Sequence, residues 1–308
     1  MAAELPSYKQ PIAEILDSSK PLVNSKLAYL SDLSGDGLEF LKQAWVEAEA
    51  IRRHQVISHL IHLCEADLKL DFSSTFAFCL RDADETVRTQ AIAGLEAEEN
   101  HIFVSPLVET LKQDSSAKVR AAAAMALGKF ALLGKWGKLS PHCTDQVCRA
   151  LLEVLDNKRE AVEVQRRALE AIAPLNLPRL KEFIEAAYHS NDVKLEASAI
   201  CAMGRSCDSV WLTTLLAELS SNQAEIRYEA ANACGELGAE EASSHLIELT
   251  EDEDACVQEA AIRALGEIGG EEARQTLNKL AGDREPRIRQ AAKSALKELR
   301  FFAKTLYL

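Results

Sequence analysis

The feature that most constrains this chain is a column of seven alanines. Take Val87, Val119, Val164, Leu195, Ile226, Val257 and Ile288 as starting positions. Four residues after each stands Ala91, Ala123, Ala168, Ala199, Ala230, Ala261 or Ala292. The starts are separated by 32, 45, 31, 31, 31 and 31 residues. Seven residues on are Gly94, Ala126, Ala171, Ala202, Ala233, Ala264 and Ala295, and eight residues on are Leu95, Leu127, Ile172, Met203, Cys234, Leu265 and Leu296. Offsets 0, +4, +7 and +8 form one stripe on an α-helix, and no strand has that period. A small residue at the same place in every repeat lets a neighbouring helix come close, as an array with one interface geometry requires.

A second apolar helix precedes each of these, for example Leu107 to Leu111, Val147 with Leu151 and Leu155, and Leu212 with Leu216 and Leu219. Between the helices lie polar turns such as Asp82-Ala83-Asp84, Ser190-Asn191-Asp192 and Glu251-Asp252-Glu253-Asp254. Asp and Asn there can cap the next helix through its orphan N–H groups. Gly128, Gly204, Gly235, Gly238, Gly266 and Gly269 are expected at helix ends. Upstream, Trp45 to Cys64 reads as one helix with Ile51, Val56, Leu60 and Leu63 on its apolar face. The stretch from Pro11 to Leu33 reads as one or two capping helices.

The expected fold is therefore all-α: a right-handed α–α superhelix of about eight helical hairpins with a repeat of about 31 residues. No linker interrupts it, so residues 1–308 are expected to form a single solenoid. Atypical capping helices span 1–80, regular repeats 81–300, and 301–308 is a hydrophobic cap over the last stripe. Composition agrees. Hydrophobic residues make up 47% of the chain and aromatic residues only 6%, and 13 Gly and 8 Pro supply too few turns for a strand-rich fold.

Charge narrows the partners. There are 48 acidic residues against 35 Lys and Arg, a net charge of −13. A nucleic-acid binder needs a basic stripe to replace phosphate counterions, so neither nucleic acid nor an anionic membrane is expected as partner. The N-terminal residues carry no basic segment followed by an apolar one, and no run of about 18 apolar residues could span a bilayer. None of the eight cysteines forms a CxxC pair. The expectation is a cytoplasmic protein with free thiols.

The segment Ile226-Arg227-Tyr228-Glu229-Ala230-Ala231-Asn232-Ala233-Cys234-Gly235-Glu236-Leu237-Gly238 resembles a HEAT repeat of the short, phycobilisome-lyase-like type. Val257 to Gly269 and Val119 to Gly128 are similar. The resemblance covers roughly residues 80–300 and implies a solenoid that binds another protein. It also brings in enzymes built on this repeat. Deoxyhypusine hydroxylase carries His-Glu dipeptides for a di-iron centre, and none of the seven histidines here is followed by Glu. A bilin-lyase-like or other accessory factor that chaperones a modified protein is the alternative, without a lyase-specific motif. Glycosylases of this repeat type need a basic groove, which the net charge disfavours.

Candidate residues follow from the register. If the helices beginning at Val87 and its equivalents line the concave side, offsets +2 and +6 point away from the packed stripe. Arg166, Tyr228, Asn232, Glu259, Arg263 and Gln290 are the candidate contacts, Tyr228 and Arg263 foremost because Tyr and Arg are enriched in binding hot spots. The 45-residue step inserts 14 residues near Phe130 to Cys148, including Lys135, Trp136 and Lys138. Either Trp136 anchors a partner or it folds back to fill the gap its own loop makes. Arg88, Arg120, Arg227 and Arg289 follow their starts directly and read as a ladder between repeats, or as an anion clamp. His59 and His62 stand three apart on a helix and could offer two metal ligands, but surface histidines are common, and no metal or cofactor is expected. Cys234 falls in the buried column. The expected state is a non-catalytic monomer that holds a partner protein of unknown identity.

Overall fold

The computed structural model describes residues 8–175 and 177–305, with residues 300–305 described by their backbone alone. Among them are eighteen α-helices and no strand. The chain separates into two compact units, one ending at Ala171 and the other beginning at Ile172.

In the first unit, α1 (Lys9–Leu16) and α2 (Asn24–Leu27) precede four hairpins. These are α3 (Gly35–Glu47) with α4 (Ala50–Ala66), α5 (Ser73–Cys79) with α6 (Glu85–Gly94), α7 (Val104–Gln113) with α8 (Ala117–Lys135), and α9 (Pro141–Asp156) with α10 (Val162–Ile172). The second unit holds α11 (Leu180–Tyr188) with α12 (Val193–Ser206), α13 (Leu212–Glu218) with α14 (Ala224–Leu237), α15 (Ser243–Leu249) with α16 (Ala255–Ile268), and α17 (Gly270–Leu280) with α18 (Pro286–Thr305). The eight hairpins expected from the repeat are all present, and the fold is of the all-α, α–α hairpin class.

The alanine column packs as the period requires. Ala91, Ala123, Ala168, Ala199, Ala230, Ala261 and Ala292 are all inaccessible to solvent. The helices start where the turns provide acceptors. The Asp84 carboxylate accepts from the backbone N–H of Thr86 and Val87, Asp192 from Lys194 and Leu195, and Asp254 from Cys256 and Val257. Each such cap contributes about 1 kcal/mol.

Four glycines do something other than end a helix. Gly128, Gly204, Gly235 and Gly266 all lie nine residues after a repeat start, inside their helices. A Cβ at Gly204 would stand 2.5 Å from Ala233 Cα, one at Gly235 3.0 Å from Ala264 Cα, and one at Gly266 2.7 Å from Ala295 Cβ. At Gly128 the nearest atom would be Ala171 Cα at 3.1 Å. Glycine at +9 thus meets alanine at +7 of the next repeat, and the two backbones come nearly into contact. Only Gly238 (φ +66°) and Gly269 (φ +75°) close their helices, as expected.

The eighth hairpin, outside the seven repeats of the alanine column, is α3 with α4. Trp45 to Cys64 is not one helix but the end of α3 and most of α4, with the break at Ala48 and Glu49. Ile51 is 67% exposed, and the buried face is Arg52, Val56, Ile57 and Leu60. Arg52 takes the place of the usual β-branched residue. Its Nε donates to the Ile15 carbonyl at 2.6 Å, closing the end of α1. The largest buried aromatic side chains, Trp45, Phe72, Phe76 and Phe130, all belong to the first unit. The tail 301–308, expected as a hydrophobic cap, lies outside the residues whose side chains are described; α18 continues to Thr305.

Candidate functional site

The arginines at +1 are structural members of the inter-repeat turns. Arg227 is buried and donates from Nε and Nη2 to the Asp252 carboxylate at 2.7 and 2.8 Å, and from Nη1 to the Ser221 carbonyl at 2.9 Å. Arg88 holds Asp114 at 2.7 and 2.9 Å and the Asp82 carbonyl at 2.8 Å. Arg120 reaches Glu160 at 2.6 Å and the Asp114 carbonyl at 2.7 Å. Each of these arginines binds the carbonyl six residues back and a carboxylate of the following turn. Gln258, where the pattern lacks arginine, still donates to the Asp252 carbonyl at 2.6 Å. The same device opens the array: Arg53 pairs with Asp82 at 3.5 Å, and Asp82 also accepts from the Trp45 indole at 2.7 Å. The anion-binding forks of Arg88 and Arg227 are thus filled from within by both oxygens of one carboxylate, while Arg120 holds Glu160 through Nη2 alone and its buried Nε has no hydrogen-bond partner. An open cleft of about 680 Å³ includes Lys42, Phe78, Arg81, Arg88 and Glu109 in its lining. Its arginines are likewise engaged, Arg88 by Asp114 and Arg81 by Glu109 at 2.9 Å.

What remains presented is the outer edge of the second helix of each hairpin. In the second unit, α12, α14, α16 and α18 pack closely side by side through the Gly–Ala contacts, whereas α13, α15 and α17 touch one another much less. Arg263 and Gln290 are exposed, and Tyr228, Asn232 and Glu259 are half-buried. Glu259 is already paired with Arg287 at 3.3 Å, while Arg287 also binds the Gln258 side chain and the Ala255 carbonyl. Arg166 lies in the first unit, largely covered and held by Glu163 at 3.0 Å on its own helix. The structure therefore brings five of the six candidates into one unit, and leaves Arg263 and Gln290 the most accessible of them.

The sequence reading missed the row at offset +10: Arg205, Glu236, Glu267 and Glu298, all exposed. It could have been found, since three of four repeats place Glu there. The glycine of one repeat makes room for the glutamate of the next. A Cβ at Gly235 would meet Glu267 Oε2 at 2.2 Å, and one at Gly204 would meet Glu236 Oε2 at 3.1 Å. Both carboxylates reach solvent, yet the flanking helices strip enough water to push their pKa values up. For Glu236 this burial dominates, Arg205 and Arg263 oppose it, and the Glu267 charge adds to it. For Glu267 burial again leads, Arg263 opposes it and Glu298 adds to it. Negative charge is in excess along this edge, with Arg263 in the field of both glutamates.

Other candidate chemistry stays scattered. His59 and His62 are both exposed on α4; His59 Nδ1 lies 2.8 Å from the Gln55 carbonyl and His62 lies 3.5 Å from Glu65. Among the described residues, no group of three or more His, Cys, Asp or Glu is placed to hold a metal ion. Cys234 is fully buried, and burial pushes its thiol up to about 12. Trp136 does not fold back: it is 61% exposed at the end of α8, with Lys138 Nζ 5.6 Å from its ring centre. Lys135 and Lys138 are exposed beside it. Among the described residues no helix is long and apolar enough to cross a membrane.

The sequence matches the family described as HEAT repeats over residues 212–297, and that described as HEAT repeat over residues 103–133. No curated protein matches it by sequence. The complex of CpcE and CpcF of phycocyanin lyase from Nostoc sp. is 16% identical and aligns over 90% of this chain and 97% of that one, with a TM-score of 0.57. The YibA protein of E. coli aligns at 17% identity over 79% and 96% with a TM-score of 0.47. Human deoxyhypusine hydroxylase in complex with glycerol aligns at 19% identity over 96% of each chain with a TM-score of 0.34. At these identities the likeness concerns the fold alone.

Proposed function

We propose that this HEAT-repeat chain is a non-catalytic adaptor that holds another protein against the presented edge of α12, α14, α16 and α18. The observation that carries the reading is the repeated row Arg205, Glu236, Glu267 and Glu298, with Arg263 beside it, standing on a layer of helices locked by Gly–Ala contacts. In a stack of hairpins the more closely spaced layer lies inside the curve, so this row belongs to the concave side. Packed helices stand roughly 8–10 Å apart. A partner segment with basic side chains at that interval would meet the glutamates of successive repeats, and would offset the loss of hydration that, with a smaller contribution from neighbouring carboxylates, holds Glu236 and Glu267 above their ordinary pKa. Tyr228 and Asn232 supply the less charged floor between them. Nothing in this arrangement sets a nucleophile against a base, and its strength is rigidity and repetition.

A cytoplasmic, monomeric protein fits the eight free cysteines and the acidic surface. The shared fold with a phycocyanin lyase complex is what supports the accessory-factor alternative, in which the partner is a protein being modified. One experiment tests both. The full chain and its Arg263→Glu, Glu236→Lys/Glu267→Lys and Glu248→Lys variants are used as baits in native lysate. The adaptor reading expects a stoichiometric, unmodified protein that Glu236→Lys/Glu267→Lys loses, that Arg263→Glu, which adds negative charge to the face, holds at least as well as wild type, and that Glu248→Lys, on α15, retains. A coloured or covalently modified ligand shifts the assignment to the accessory class. A partner retained by Glu236→Lys/Glu267→Lys refutes the proposed face.

A further inference from the structure

The first unit presents a surface of the opposite character. Between Asp114 and Asp145 the chain has no acidic residue, but it has Lys118, Arg120, Lys129, Lys135 and Lys138. Within a chain of net charge −13 this is the local exception. The window is built around α8, which extends sixteen residues past its start at Val119, whereas α6 ends seven residues past Val87 and α10 eight past Val164. The last two turns of α8 therefore run beyond the ends of the helices at equivalent places in the neighbouring hairpins. On one side Phe130, Ala131 and Leu133 are buried, with α9 packed so closely that a Cβ at Gly134 would meet Thr144 at 2.6 Å. On another side Met125, Lys129, Leu132 and Trp136 follow at the spacing i, i+4, i+7, i+11 of a single helix face. Met125 is 54% and Trp136 61% exposed. The other two tryptophans, Trp45 and Trp211, are buried.

We propose that this face of α8 is a second docking surface, whose occupant is an acidic amphipathic helix of another protein. Charge complementarity selects the sign of the partner: exposed Lys135 and Lys138 flank Trp136 at one end of the stripe and exposed Lys118 stands seven residues before Met125 at the other, whereas Lys129 is held by the Glu96 carbonyl in the field of Glu96, Glu98 and Glu99. The geometry selects its form. Met125 and Trp136 are about 16 Å apart along α8 at 1.5 Å per residue, three turns, which a helix laid alongside meets with its own i, i+3, i+4, i+7 apolar stripe. Exposed tryptophan with flanking cations is a typical anchor composition. A free anionic membrane is the competing occupant, but one tryptophan and three lysines on a helix otherwise packed into a protein give little area to insert. The inference rests on reading the chain as a protein-binding module. It does not use the α12–α18 edge, and the two surfaces together describe an adaptor with one acidic and one basic docking face.

The test uses the full chain and a fluorescein-labelled peptide of about five helical turns, with Leu at i, i+3, i+4 and i+7 and Glu elsewhere, its Lys-for-Glu counterpart, and vesicles of phosphatidylserine with phosphatidylcholine. Binding is read by fluorescence polarisation and by the emission of Trp136. The proposal expects the acidic peptide to bind, a blue shift of tryptophan emission, and weakening of about tenfold or more in Trp136→Ala and in Lys135→Glu/Lys138→Glu. Raised salt should weaken it further. Glu236→Lys/Glu267→Lys should bind the peptide as wild type does, even if that variant has lost its lysate partner. Because the substituted side chains are exposed, circular dichroism should show unchanged folding. No saturable binding of the acidic peptide, equal binding of the basic one, indifference to the α8 variants, or preferential binding to the vesicles would overturn the proposal.

Discussion

Replacing Gly204 by alanine puts two physical effects in opposition, and the structure decides the sign. Gly204 is inside α12, so helix propensity alone predicts a gain of about 1 kcal/mol. The new Cβ, however, would lie 2.5 Å from Ala233 Cα and 2.7 Å from Ala233 Cβ. Ordinary contact begins near 3.4 Å, so α12 and α14 would have to separate by about an ångström at that point. Overpacking of a filled interface costs about 1–3 kcal/mol. Against the propensity gain this leaves a net loss of up to about 2 kcal/mol. Urea titration followed by circular dichroism should show a lower midpoint at unchanged slope. Gly282→Ala is the control: its Cβ would meet only the Lys279 carbonyl at 3.6 Å, so it should be neutral or stabilising by about 0.4–1 kcal/mol. Adding Ala233→Gly to Gly204→Ala should restore little, because the nearest obstacle is backbone. A midpoint for Gly204→Ala equal to or above wild type would refute the Gly–Ala contact as the element that sets the helix spacing.

Four further outcomes follow from the structure. Arg227→Ala leaves the buried Asp252 carboxylate without its partner and should cost about 3–5 kcal/mol by denaturant titration; a loss below about 1 kcal/mol would reduce the ladder to a surface feature. Burial would raise the Asp252 pKa, but the hydrogen bonds and charge of Arg227 outweigh it and hold the carboxyl below its ordinary value. That stabilisation is present above the ordinary Asp pKa and lost as pH falls through the lower folded value, so acid unfolding should begin at higher pH in Arg227→Gln. Glu236 has the opposite sign: its folded pKa is raised, so its unfavourable contribution grows as pH rises through the carboxylate range. Glu236→Gln should then melt higher than wild type at neutral pH and converge with it in mild acid, and equal melting at neutral pH would contradict the burial penalty on the Glu236 carboxylate. Acrylamide should quench one tryptophan readily, and Trp136→Phe should abolish that fraction; two quenchable tryptophans would contradict the burial of Trp45 or Trp211.

Where the sequence was legible, one residue determined its own environment; where it was not, the environment belonged to a neighbour. Ala230 could be placed because a period repeated across the chain puts it on the packed stripe whatever lies opposite. Asp84 and Asp254 could be placed because a cap is satisfied within three residues. Gly204 and Gly235 could not, because a glycine that ends a helix and one that admits a neighbouring helix have the same composition, and only the common offset of +9 separates them. Glu236 and Glu267 were missed for the same reason: the raised carboxylates depend on the glycine of the preceding repeat, 31 residues earlier in register. Arg52 hid a repeat by occupying an apolar column, although Arg53 followed by Asp82-Ala83-Asp84 repeats the logic of Arg227 with Asp252. Arg166 was misleading in the other direction. Glu163, three residues before it, holds its guanidinium on the helix surface, so the residue chosen for its binding chemistry is engaged by its own chain. Arg263 has Glu259 four residues before it on its helix, but Glu259 is paired with Arg287. Arg263 lies in the field of Glu267, four residues on along its own helix, and of Glu236 in the preceding repeat, and that difference in local pairing is why the proposed docking face is centred on Arg263 rather than Arg166.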